Sequence, residues 1–213
     1  MDVRRAALPV LLLLAGLAAV LGYAIPAGAS TPAPVQPEQA ALLANATPAV
    51  TDGSTTSAVD ATTALNAGNQ PDAQTSIEDG ISAQAAVGLA PLAEANVLSG
   101  TRPTCWANYS WHQWGTWPYE QKITDTTYWC ALYNNHITYR TSTTTGSGTL
   151  CGLNWRAGAL ISGGIGRGFT YFTNRASAGF SCETTIPWIT LHRTHYLDTK
   201  RNDRGVSSQV GSG

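Results

Sequence analysis

The sequence predicts an all-β fold: a small antiparallel β-sandwich or barrel with two disulfides, preceded by a signal peptide and a disordered segment. Three observations lead there. Past Gly100 the chain is rich in β-branched and aromatic runs separated by turn residues. No segment in that region carries a 3.6-residue apolar period. Four cysteines, Cys105, Cys130, Cys151 and Cys182, follow an export signal, and an even count in a small exported domain implies disulfides.

The elements follow in chain order. Met1-Asp2-Val3-Arg4-Arg5 is a net positive start, and Leu8 to Ile25 is almost wholly apolar. Pro26-Ala27-Gly28-Ala29 then offers small residues for a signal peptidase, so residues 1–29 read as a secretory signal cleaved after Ala29. No later stretch is apolar enough to cross a bilayer. The mature protein is therefore expected to be secreted, with no membrane span.

Residues 30–100 hold no Lys, Arg, His, Cys or aromatic residue, but seven acidic ones. Ala, Thr and Ser dominate. So little large apolar surface predicts a disordered acidic spacer or propeptide, because burial cannot offset the entropy of ordering. Two pieces have helical character: Glu38 to Leu43, and Ser76 to about Leu98, where Ile77, Ile81, Ala85 and Leu89 recur every four residues.

Residues 101–200 form the predicted domain, aromatic-rich and basic. The chain beyond Gly100 holds all seven Trp, seven of eight Tyr and all three Phe, with ten basic residues against five acidic ones. Over the whole chain 12 Lys and Arg nearly balance 13 Asp and Glu, which argues against a nucleic-acid binder.

Within the domain, Thr126 to Tyr133 and His136 to Thr141 suit two strands, with Asn134-Asn135 as a two-residue turn. That turn sets Tyr133 opposite His136, Leu132 opposite Ile137 and Cys130 opposite Tyr139. Tyr128, Cys130, Leu132, Ile137 and Tyr139 then face the core. Trp129, Ala131, Tyr133, His136, Thr138 and Arg140 form the other surface, where Trp129 opposes Arg140. Further strands are expected at Leu150 to Arg156, Phe169 to Asn174, Gly179 to Thr185 and Ile186 to Leu197. The glycine run Gly163 to Gly168 reads as a turn, since it lacks the Lys and the following helix of a phosphate loop. Residues 201–213 read as a flexible polar tail.

The four cysteines allow three connectivities, and the sequence does not choose among them; pairing of neighbours along the chain, Cys105–Cys130 and Cys151–Cys182, is the working expectation. No two lie closer than 21 residues, which excludes a short-spaced zinc site. His192 and His195 lie on a predicted strand, where residues three apart face opposite ways, so no metal is assigned. No cofactor is implied either.

Cys105 to Tyr119 holds six aromatic residues in fifteen positions, four of them Trp. Neighbours on a strand alternate faces, so some of these rings must be exposed. Trp111, Trp114 and Trp117 are candidate binding residues, joined by Trp129, Tyr133, His136 and Arg140. Flat exposed rings stack on sugars, which makes a secreted carbohydrate- or envelope-binding module the leading reading. A small polysaccharide hydrolase is the alternative, with Glu120 as candidate acid, and it would need a second carboxylate across the sugar bond. A secreted effector or inhibitor binding a protein partner through the same patch is the third reading.

Overall fold

The computed structural model describes residues 51–89, 102–183 and 190–213. The signal segment, the Glu38–Leu43 piece and residues 90–98 lie outside them. The described residues form nine strands and two short helices: β1 (Thr51–Val59), α1 (Ala61–Gly68), β2 (Gln74–Ile77), α2 (Ala83–Ala86), β3 (Thr104–Trp114), β4 (Gln121–Leu132), β5 (His136–Gly148), β6 (Cys151–Gly163), β7 (Tyr171–Glu183), β8 (Thr190–Asn202) and β9 (Ser207–Ser212). They form a five-stranded sheet in the order β1-β3-β4-β5-β2 and a four-stranded sheet in the order β6-β7-β8-β9. Every pairing is antiparallel. The two sheets do not close on each other, so the fold is a sandwich rather than a barrel.

Both disulfides form between the predicted partners. Cys105 and Cys130 face each other across β3 and β4, and Cys151 and Cys182 across β6 and β7.

The domain starts well before Gly100, and the expected disorder of residues 30–100 fails for residues 51–89. Strand β1 pairs with β3 along its whole length, from Thr51 opposite Gln113 to Val59 opposite Cys105. Helices α1 and α2 then lie over the outer face of the first sheet. Ala64, Ala86 and Val87 are buried there against Cys105, Cys130 and Tyr139. Composition misleads here because alanine is small: it adds little apolar area per residue, yet it lets a helix approach a disulfide closely. Each helix is capped. Asp60 Oδ1 accepts from Thr63 N at 2.8 Å, and Ser82 Oγ from Ala85 N at 3.1 Å. The four-residue period from Ile77 to Leu89 is not one helix, since Ile77 ends β2 opposite Tyr139 and only Ala83–Ala86 is helical.

The predicted tail is also part of the sheet. Strand β8 runs through Asn202, and β9 pairs back onto it. Asn202 Oδ1 accepts from the backbone N–H of Arg204 and Val206, and Gly205 takes a φ of 78°, which closes the turn. Arg201, at the start of this supposed tail, has no exposed surface.

The β4–β5 hairpin has the predicted centre and a different tip. Cys130 faces Tyr139 and Trp129 faces Arg140. At the tip, Leu132 faces His136 and Ala131 faces Ile137, so the loop has three residues, with Asn134 at φ 57°. A bulge between Cys130 and Ala131 absorbs the one-residue offset. The expected face assignment is overturned. Trp129, Ala131 and Arg140, expected on the surface, point between the sheets and are buried. Cys130 and Tyr139, expected in the main core, sit beneath the helices. Both faces of the hairpin are covered, because residues 51–89 supply a third layer.

Three predicted strands extend. Strand β7 joins two predicted strands across Arg175–Ala178, and β6 continues to Gly163. The interior between the sheets is banded. At one end Ile123, Phe180, Leu197 and the Cys151–Cys182 disulfide pack together. At the other end Trp129, Ile137 and Phe172 do. Each buried aromatic or branched side chain contributes about 1.5–3 kcal/mol. Between them runs a polar belt of Asn108, Asp125, Arg140, Asn174 and Arg201, all buried. Arg201 Nη2 donates to Asp125 Oδ2 at 2.9 Å and Arg201 Nε to Asn108 Oδ1 at 3.0 Å. Arg140 Nη1 donates to Asn174 Oδ1. Burial pulls the guanidinium pKa of both arginines down, and the Asp125 carboxylate opposes that shift.

Candidate functional site

Strand β3 decides which aromatic rings are available. Its alternation sends Trp106, Asn108, Ser110, His112 and Trp114 between the sheets, and Cys105, Tyr109, Trp111 and Gln113 to the outer face. Helices α1 and α2 cover the Cys105 end of that face. Among the described residues nothing covers the other end. There Tyr109 is 42% exposed, Trp111 is half-buried, and their ring centroids lie 5.4 Å apart.

Trp111 is held firmly. Its indole lies over Gly53 of β1, where a Cβ would stand only 1.9 Å from Cζ2. Lys122 Nζ sits 5.4 Å from the ring centroid. Gln209 Nε2, from the second sheet, donates to Gly53 O at 3.0 Å and to Trp111 O at 2.8 Å, pinning both strands.

Beside the rings, Gln113, Glu120, Lys122, Ser147 and Thr149 line a shallow pocket of about 210 Å³. Thr149 Oγ1 donates to Glu120 Oε2 at 3.5 Å. The register explains the grouping, since Gln113 faces Lys122 and Lys122 faces Ser147. Two ring faces beside hydroxyl, amide, carboxylate and ammonium groups form a surface that can stack a flat apolar face and hydrogen-bond its polar edge.

The predicted site residues do not form one platform. Trp114 turns inward and stacks on His195, with centroids 4.3 Å apart. Trp129 is fully buried and donates from Nε1 to Asn202 O at 2.9 Å. His136 and Arg140 are buried as well. Trp117, 76% exposed, stands in the β3–β4 connection near Glu120, whereas Tyr133, 62% exposed, stands past the far end of β4. Twelve residues of strand separate these two ends, about 40 Å at roughly 3.3 Å per residue. Trp111 and Trp117 therefore share one end with Glu120, and Tyr133 does not. Tyr109 completes the open patch, a residue that strand alternation from Trp111 selects but aromatic counting does not.

The histidines separate as strand geometry requires. His192 Nδ1 lies 2.9 Å from Ser181 Oγ on the outer side of the second sheet, while His195 points inward and its Nε2 donates to Gln121 Oε1 at 2.8 Å. Burial lowers the pKa of His195 and of His112, the latter opposed by Asp52.

No protein-family model, curated protein or solved structure matches this chain. Among the described residues no helix is long and apolar enough to cross a membrane. Two disulfides are consistent with an extracellular protein.

Proposed function

We propose that this is a secreted binding module that takes carbohydrate, or another envelope component with flat ring faces, on the open outer face of the first sheet. The observation that carries the reading is the Tyr109–Trp111 pair beside a polar pocket. The rings would cover the apolar face of a sugar, and Gln113, Glu120 and Lys122 would bond its hydroxyls. The export signal in residues 1–29 fits an extracellular ligand.

Hydrolysis is the weaker reading. Among the described residues Glu120 is the one carboxylate lining the pocket, and acid-assisted glycoside cleavage ordinarily needs a second one about 5–10 Å away. The test is titration of the full chain with soluble oligosaccharides of glucose, galactose and N-acetylglucosamine, following tryptophan fluorescence and new reducing ends together. Saturable binding without turnover supports the module. Turnover that disappears in Glu120→Gln would replace it with the hydrolase. No saturable response to any glycan, with capture of one defined extracellular protein, would favour the protein-partner reading.

A further inference from the structure

A second pocket lies at the other end of the sandwich, built by the glycine run that reads as a plain turn in the sequence. Ile137 N donates to Phe169 O at 3.0 Å, and Gly166 N to Ile137 O at 2.7 Å, so the 163–169 turn is tied to the start of β5. Glu78 N donates to Thr138 O at 3.0 Å, which fixes the segment after β2 to the same strand. Between these anchored pieces opens a pocket of about 370 Å³. That is the low end of the range for small-molecule sites.

The glycines shape its wall. Gly166 has φ 94°, and a Cβ there would approach Glu78 Cγ to 3.4 Å. Gly164 sits under the Phe169 ring, 2.9 Å from where a Cβ would be. A Cβ at Gly164 would displace the Phe169 ring, whereas at Gly166 it is the left-handed φ that favours glycine.

The lining combines three chemistries. Glu78 supplies a carboxylate whose side chain is 10% exposed and whose Oε2 lies 2.9 Å from His136 Nε2. His136 is itself held by Asn135 Oδ1, 2.9 Å from Nδ1. Arg167 supplies an exposed cation and Asp79 a second carboxylate. Neither joins an ion pair among the described residues. Ile81, Ile165 and Phe169 supply apolar surface between them.

We infer that this pocket binds a small zwitterion of the free amino-acid type. Its ammonium meets the Glu78–Asp79 side, its carboxylate meets Arg167, and an apolar side group packs on Ile81, Ile165 and Phe169. A peptide end carries one of the two charges next to its terminal side chain and satisfies half of the site, so the free molecule is the better fit. The pocket uses none of the outer-face residues around Trp111, and the inference stands apart from the carbohydrate reading.

The experiment is calorimetric titration of the full chain with L-leucine, D-leucine, N-acetyl-leucine and leucinamide. One leucine enantiomer at least is expected to bind saturably at one site per chain. Blocking either charged end is expected to weaken binding about tenfold or more, the worth of one charge-assisted hydrogen bond. Arg167→Ala, an exposed change that leaves the core alone, and Glu78→Gln are each expected to weaken it about as much, and Trp111→Ala not at all. No saturable heat with either enantiomer, equal binding of the blocked compounds, or unchanged binding in Arg167→Ala would overturn the inference.

Discussion

Arg201 and Asp125 meet at 2.9 Å in the middle of the sandwich, with side chains 0% and 1% exposed. They join β8 to β4 and so couple the two sheets at the band where apolar packing is interrupted. Removing one partner of a buried pair strands the other charge, at a cost of about 3–5 kcal/mol. Asp125→Ala is expected to lower unfolding free energy by that amount in urea titration. A loss below about 1 kcal/mol would show that the pair does not hold the sheets.

His112 and His195 make the fold acid-sensitive. Burial depresses both folded pKa values below their ordinary value, which is about 6.5 in the unfolded chain. The unfolded state therefore takes up protons first. Stability is fully present above about pH 6.5 and declines as pH falls toward the folded values. His112 Nδ1 is buried without a hydrogen-bond partner among the described residues, so His112→Gln is expected to reduce the fall in Tm between pH 7 and 5. An identical pH profile in that variant would contradict the assignment.

Each disulfide closes a loop between cysteines 25 or 31 positions apart, worth about 3–4 kcal/mol by chain entropy. Replacing Cys151 and Cys182 together by Ser is expected to cost that much by denaturant unfolding. It should also loosen Gln121, whose Nε2 donates to both sulfurs at 3.3 and 3.2 Å. A change under about 1 kcal/mol would mean that the sheet edge is fixed by packing alone.

Residues 51–89 are a structural layer, and deleting them is expected to prevent folding of the remainder. The deletion exposes the Cys105–Cys130 disulfide and Tyr139, and strips β3 of its β1 ladder. Loss of the cooperative thermal transition is the expected result. A folded, cooperative 102–213 fragment would restore the spacer reading.

Much of the β character was legible, and the reasons are local. Thr126–Thr141 alternates β-branched and aromatic residues around two asparagines, and this suffices to place Cys130 opposite Tyr139. Nearest-neighbour cysteines paired because each pair sits on adjacent antiparallel strands. What escaped depends on burial without bulk or apolarity. Ala64, Ala85 and Ala86 are core residues that composition counts as spacer. Arg140 and Arg201 are interior residues of a kind ordinarily found outside. Because β4 and β5 are covered on both sides, their alternation marks two buried faces and cannot say which is solvent. That is why Trp129, His136 and Arg140 read as surface, and why of the predicted Trp platform Trp111 alone keeps its place on the open sheet.

Trp111 is the residue on which glycan binding depends most, and the decisive measurement is glycan affinity of the full chain against its Trp111→Ala variant, with Trp129→Phe as a buried control. Saturable quenching or a blue shift is expected in the parent. A loss of about 1–2 kcal/mol is expected in Trp111→Ala, roughly five- to thirty-fold, and little change in affinity for a folded Trp129→Phe. Equal affinity in parent and Trp111→Ala, or no glycan response in the parent, would contradict the proposed glycan site.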